Sequence, residues 1–196
     1  MPKIITRVAP LFFAISFVFG CATELPTQQY PNITFSHLKK IKIDVGKIDI
    51  VSRFQPPLTN SHIEHLLPIP PSKALEQWLR DRFQPIGQSG RLSLVIEDAQ
   101  VTATPLKLDT SFKGQITKQQ SQLYQMAVQA SLHIRNPDAK ILATASARAE
   151  RSITAREDLS LNDRHQLWLE TVNEMMTDFN SSIEPNIQDY LGSWLR

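Results

Sequence analysis

Cysteine is nearly absent from this chain. Its one occurrence, Cys21, has no second thiol to pair with, so the folded part is held by burial and hydrogen bonding alone. Glycine is scarce too. Among six glycines in 196 residues, no spaced pair follows a strand and opens a helix, as a phosphate cradle requires. No serine sits in a Gly-x-Ser-x-Gly elbow, so an acyl-transfer nucleophile has no supporting geometry. The chain also lacks a hydrophobic run of the roughly 20 residues that span a bilayer as a helix. Neither sign of charge dominates: 21 basic residues face 19 acidic ones. No basic run tracks a groove and no aromatic residues interleave with cations, which argues against a nucleic-acid partner.

What is present begins at the N-terminus. Lys3 and Arg7 precede an apolar stretch over residues 8–20, which ends Val18-Phe19-Gly20-Cys21. A basic start, a short apolar run and a small residue before the cut form the pattern of a secretory signal peptide. The cysteine at the new N-terminus makes the segment resemble the bacterial lipobox. That resemblance implies cleavage between Gly20 and Cys21, diacylation of the Cys21 thiol and acylation of the freed amino group. Acyl chains contribute about 0.8 kcal/mol per buried methylene, so three of them anchor a protein stably. The next residue is Ala22 and not Asp, which by the same resemblance favours the outer membrane, with the domain facing the periplasm. Lys3 and Arg7 are the leader's only charges, so residues 21–196 are formally neutral.

Residues 21–39 are polar, punctuated by Pro26 and Pro31, and read as a flexible tether. A single α+β domain is expected over 40–196. Residues 40–45 alternate as a half-buried strand, and Ile48 and Ile50 resume in the opposite phase, which suggests a bulge at Gly46-Lys47. The Pro-rich stretch 54–71 either packs over the domain edge or serves as a docking segment. Ser72 looks like the N-cap of a helix running to about Gln84, with Leu75, Trp78, Leu79 and Phe83 on one face and Gly87 as its stop. Residues 91–103 form a second strand. In the third strand, Tyr124, Met126, Val128, Ala130, Leu132 and Ile134 point one way. Asn136-Pro137-Asp138-Ala139 is turn chemistry, so a fourth strand should return antiparallel, with Ala143, Ala145, Ala147 and Ala149 leaving room for a close helix. Ser160-Leu161-Asn162-Asp163 resembles a capping box and opens a long helix striped by Trp168, Val172, Met175, Phe179, Ile183 and Ile187. Pro185 is expected to kink or break it. The order is β-α-β-β-β-α: a four-stranded, mainly antiparallel sheet with two helices on one face. Residues 105–121 join the second and third strands as a loop and contact surface.

The best candidate for chemistry is His62-Ile63-Glu64-His65. Two histidines three apart can reach one metal from a helix, and Glu64 could orient a water. Flanking prolines oppose such a helix, and His37, His133 and His165 are scattered, so the stretch is read as loop hydrogen bonding or plain surface exposure. No catalytic residue, metal or cofactor is assigned. Arg148, Glu150 and Arg151 read as a solvated charge group on a strand.

Two bacterial envelope families share this layout. Pro70-Pro71, Leu75, Trp78 and Leu79 before a strand resemble the auxiliary lipoproteins of ABC-type and lipid-transport systems. Tyr124 opening an alternating strand, then a turn, a second strand and a long C-terminal helix, resembles the lipopolysaccharide-assembly lipoprotein. Both resemblances imply a non-enzymatic accessory component of a transport or outer-membrane assembly complex. The alternative is a module binding a lipid or other apolar ligand between helix and sheet, lined by Trp78, Met126 and Met175.

Overall fold

The computed structural model describes residues 33–57, 59–107 and 119–196. Cys21, Gly20, the leader, most of the tether and residues 108–118 of the expected loop lie outside the described residues.

The chain enters through Phe35, which is buried and whose N–H donates to Asp81 at 2.8 Å. Packing therefore begins before residue 40. Strand β1 (Ile41–Ile43) pairs in parallel with β3 (Phe83–Pro85), while β2 (Lys47–Ser52) pairs in parallel with β4 (Arg91–Asp98). The phase slip at Gly46 is thus not a bulge within one strand. It is a change of sheet, and a one-residue flip of the buried face looks the same in either case. The end of the chain closes on β1 as well: Asp44 N–H donates to Trp194 at 2.8 Å, and Arg196 binds the Asp44 carboxylate at 2.7 Å.

Helix α1 spans Pro71–Arg82. Its N-cap is Pro70, with no side-chain cap, and Pro71 occupies N1, where a missing N–H costs nothing. Ser72 therefore lies inside the first turn. Gly87 does not stop the helix; it lies past β3, where its N–H donates to Val45 at 3.0 Å. A Cβ there would come within 2.7 Å of the Val45 backbone nitrogen, so the close crossing of these segments requires glycine.

Strands β4 and β5 (Val101–Pro105) lie end to end along the same side of β6 (Gln120–Arg135), both antiparallel to it. Together they are the strand expected over 91–103, interrupted at Ala99-Gln100. Strand β7 (Ile141–Arg156) pairs antiparallel with the other side of β6 along nearly its whole length. The turn between them places Ala139 at φ 64°, with its N–H bonded to the Asn136 carbonyl. Residues 61–63 bond to the outer side of β5, where Ile63 N–H meets Val101 and Ala103 N–H meets Ser61. Ile63 and Leu67 are buried, so this part of the Pro-rich stretch packs over the domain edge.

Helix α2 runs Leu161–Leu191, capped by the Ser160 hydroxyl, which accepts from Asp163 N–H at 3.1 Å. It is continuous through Pro185, so of the expected kink or break the break does not occur. The carbonyl that Pro185 leaves without a partner belongs to Ser181, and both residues are exposed, so water can bond to it. Helix α2 lies over β7 on its alanine face, where Ala145 and Ala149 are buried. The fold is α+β: a mixed sheet of four main strands plus one more, with α1 and α2 on one face.

A buried polar chain ties the layers together. Trp78 is fully buried and lies edge-on to Phe83 and Phe179. Its indole N–H donates to Asn180 at 2.9 Å, and the Asn180 amide donates to Glu184 at 3.2 Å. Glu184 also accepts from the buried Arg82 guanidinium at 3.0 Å, and Arg82 donates to the Lys39 carbonyl. Within this Trp78–Asn180–Glu184–Arg82 network, the Arg82 Nε is the one buried side-chain donor without an acceptor.

Candidate interaction face

Alternation along a strand sends neighbouring side chains to opposite faces, and the two helices cover only one. The face opposite the helices, called the open face because no helix among the described residues lies on it, is built from the odd-numbered residues of β4 and β6 and the even-numbered residues of β7. Register puts Gln129 opposite Arg148, Ser131 opposite both Val95 and Ser146, and His133 opposite Ser93. These side chains bond to one another. Glu97 accepts from Ser131 and from Gln129, each at 2.9 Å. Gln129 in turn accepts from Arg148 at 3.1 Å, and Arg148 reaches Glu150 at 2.6 Å and Asp98 at 3.5 Å. The charge group read from Arg148 and Glu150 is therefore the rim of a network crossing three strands. Arg151 belongs to the other face, where it pairs with Asp178 of α2 at 2.6 Å.

His133 sits within this face and is buried. Burial, reinforced by Arg135 and Arg53 and opposed by Glu97, lowers its pKa below the ordinary 6.5. Its Nδ1 lies 3.3 Å from the Arg135 guanidinium, which can only donate, so the imidazole is neutral and accepts there. A shallow polar cleft of about 430 Å³ opens beside the network, between Gln100, Thr102, Gln125, Glu150 and Ser152. It offers hydrogen-bonding groups to a polar partner. Signals for it were present in the alternation of β6 and β7, but the role of Glu97 depends on a cross-strand register that one sequence does not display.

The His62–His65 stretch has a structural use. Glu64 is buried; its Oε1 accepts from the Val101 backbone N–H at 2.9 Å and lies 3.0 Å from His62 Nδ1. The carboxylate thereby fixes the loop to the start of β5. His65 is exposed, and among the described residues no group of three or more His, Cys, Asp or Glu side chains is placed to hold a metal. The loop borders a cleft of about 700 Å³ lined by Pro56, Pro57, His62 and Leu66.

The three residues read as a ligand lining lie in the core. Trp78 and Met175 are fully buried and Met126 is 1% exposed. Met126 borders the open-face cleft, whereas Trp78 and Met175 line neither of the clefts above. No helix among the described residues is long and apolar enough to cross a membrane.

Comparison with known proteins adds little to this picture. No protein-family model matches the chain, and no curated protein does. Among solved structures, the chain is similar to a minor lipoprotein from Acinetobacter baumannii, at 10% identity and a TM-score of 0.35. That match covers 76% of this chain and 96% of the other. It is also similar to the rare lipoprotein B from Shewanella oneidensis, at 9% identity and a TM-score of 0.33, covering 75% and 94%. At such values the likeness assigns no activity.

Proposed function

We propose that this chain is a non-enzymatic, lipid-anchored protein of the bacterial envelope. In this reading Cys21 carries the acyl chains, the domain faces the periplasm from the outer membrane, and it serves a transport or outer-membrane assembly complex as an accessory component. One observation carries the proposal: the short apolar run that ends in Gly20-Cys21 behind Lys3 and Arg7. The domain suits it. It needs no disulfide, and one sheet face carries a bonded array of polar side chains across three strands.

The test is Cys21→Ser, followed by membrane fractionation and affinity purification from crosslinked envelopes. The expected result is a folded domain lost from the outer membrane and from its crosslinked partners, with function lost too. Full function from an exported, unlipidated form would end the anchored-accessory reading.

A further inference from the structure

The entering chain and α1 bring five cations together. Ile33 and Thr34 border a cleft of about 520 Å³ that Lys73, Gln77 and Arg80 of α1 also line. The Thr34 hydroxyl and the Phe35 N–H donate to Asp81 at 3.2 and 2.8 Å, which fixes this segment along the helix. Lys39, Lys40 and Lys42 follow, all exposed. The Lys39 carbonyl accepts from Arg82 at the end of α1. In β1 Ile43 is fully buried, so alternation turns Lys42 outward. Lys40 lies beside α1. Burial raises the Asp81 pKa, but hydrogen bonds from Phe35, Gln77 and Thr34 and the charge of Lys40 outweigh it and hold the carboxyl below its ordinary value. The nearby carboxylates leave the cations in surplus. Glu76 serves both Lys73 and Arg80, at 2.9 and 3.3 Å, while Glu184 answers Arg82 and Asp44 answers Arg196. Among the described residues no ion pair holds the ammonium of Lys39, Lys40 or Lys42. Charge of the other sign collects on α2, where Asp163, Glu170, Glu174, Asp178, Glu184 and Asp189 stand against Arg164 alone.

We propose that this patch rests on anionic phospholipid headgroups of the membrane that holds Cys21. The inference rests on the anchored reading and gives the anchored domain an orientation. Twelve residues lead from Cys21 to Ile33, and a chain of that length spans about 40 Å even when fully extended. Of the domain's surface, the part around Ile33 is therefore held nearest to the bilayer. Cations are drawn to an anionic membrane only within about one Debye length, roughly 8 Å at physiological salt. The anchor keeps the patch at a high effective concentration beside that layer, so weak contacts by single lysines add up to an oriented state. The acids of α2 work in the same direction, because the charge that draws the entry patch in repels them.

The chain purified from envelopes is added to preformed vesicles of phosphatidylcholine, alone or with about 30% phosphatidylglycerol. Lysines are acetylated with a neutral reagent, and the rate at each is read by mass spectrometry. Lys107 is the internal reference. It follows β5 where Pro105 pairs with Gln122, at the opposite end of β6 from Arg135 and the start of β4. Lys39, Lys40, Lys42 and Lys73 are expected to react at least about threefold more slowly on the anionic vesicles. Lys107 should react alike on both, and the difference should vanish in about 0.5 M NaCl. Lys40→Glu with Lys42→Glu, both at exposed positions, should return Lys39 and Lys73 to the rates seen on neutral vesicles. Equal rates on the two vesicles, equal slowing at Lys107, slowing that salt does not relieve, or rates that the two reversals leave unmoved would each overturn the proposal. Flotation separates it from the anchored reading. A chain that floats with neither vesicle ends both, whereas one that floats with both and shows no slowing ends the contact alone.

Discussion

Removing Glu184 should destabilise the domain more than removing the buried cation that it serves. The Arg82 side chain is 2% exposed and that of Glu184 is 48% exposed. Glu184→Ala leaves the Arg82 charge buried with the Lys39 carbonyl as its remaining acceptor, and it also frees the Asn180 amide. Breaking a fully buried pair costs about 3–5 kcal/mol, whereas an exposed pair contributes about 1 kcal/mol or less. Water can reach the vacated position from the Glu184 side, so the cost falls between these limits, at about 2 kcal/mol. For a domain of this size that lowers Tm by about 4–8 °C. Arg82→Met instead removes the buried charge, refills most of its volume with an apolar chain and leaves Glu184 solvated. Its cost is about 1 kcal/mol, chiefly from the Lys39 carbonyl losing its donor. The double variant should be only slightly less stable than Arg82→Met alone, because no buried cation is left for Glu184 to answer and only the Asn180 amide loses an acceptor. Urea denaturation of the four proteins, with slopes compared to confirm a common two-state transition, measures the cycle. If Arg82→Met proves the more costly single change, or if the two costs simply add, the argument from unequal burial is wrong.

Other changes test other parts of the fold. Ala139→Gly should stabilise by about 0.5–1 kcal/mol, read from the urea midpoint, since alanine is held at positive φ in the β6–β7 turn. Ala145→Leu should cost about 1–3 kcal/mol, because the site between β7 and α2 is fully buried and must be forced apart; thermal melts measure it. His133 makes stability depend on pH. Its folded pKa lies below 6.5, so between those two values the unfolded chain binds a proton that the native state refuses. Stability should therefore fall as pH drops below about 6.5 and level off under the folded value, a slope that His133→Gln removes in urea titrations at pH 7.5 and 5.5.

The long elements were legible in the sequence because their signals are local. Alternation from Tyr124 to Ile134 assigned the faces of β6, and the alanines of β7 marked where a helix could lie close. Ser160 and Asp163 cap α2 as their spacing suggested. Short elements were not legible, because their meaning depends on distant partners. The flip at Gly46 looks like a bulge in the sequence, but it reflects β1 and β2 joining different sheets, and only β3 and β4 decide that. Local chemistry at Pro185 suggests a kink or break, yet the helix runs on, because a carbonyl left free on the solvent side costs little. Ser72 lost the cap position to Pro70 because Pro71 fits the first turn. The polar chain through Asn180 and Arg82 gave one faint signal. A tryptophan on a fully apolar helix face needs an acceptor for its N–H, and Asn180 is the polar residue set into the opposing stripe. Glu64 stands out in the sequence as part of a metal-binding spacing, whereas its carboxylate accepts from the backbone N–H of Val101.

The most direct measurement is intact-mass and peptide analysis of the N-terminus of the chain purified from envelopes. The account predicts a mature chain that begins at Cys21 and carries three acyl chains, recovered with the outer membrane. A chain with a free Cys21 thiol, or one cleaved elsewhere and recovered as soluble protein, would contradict it.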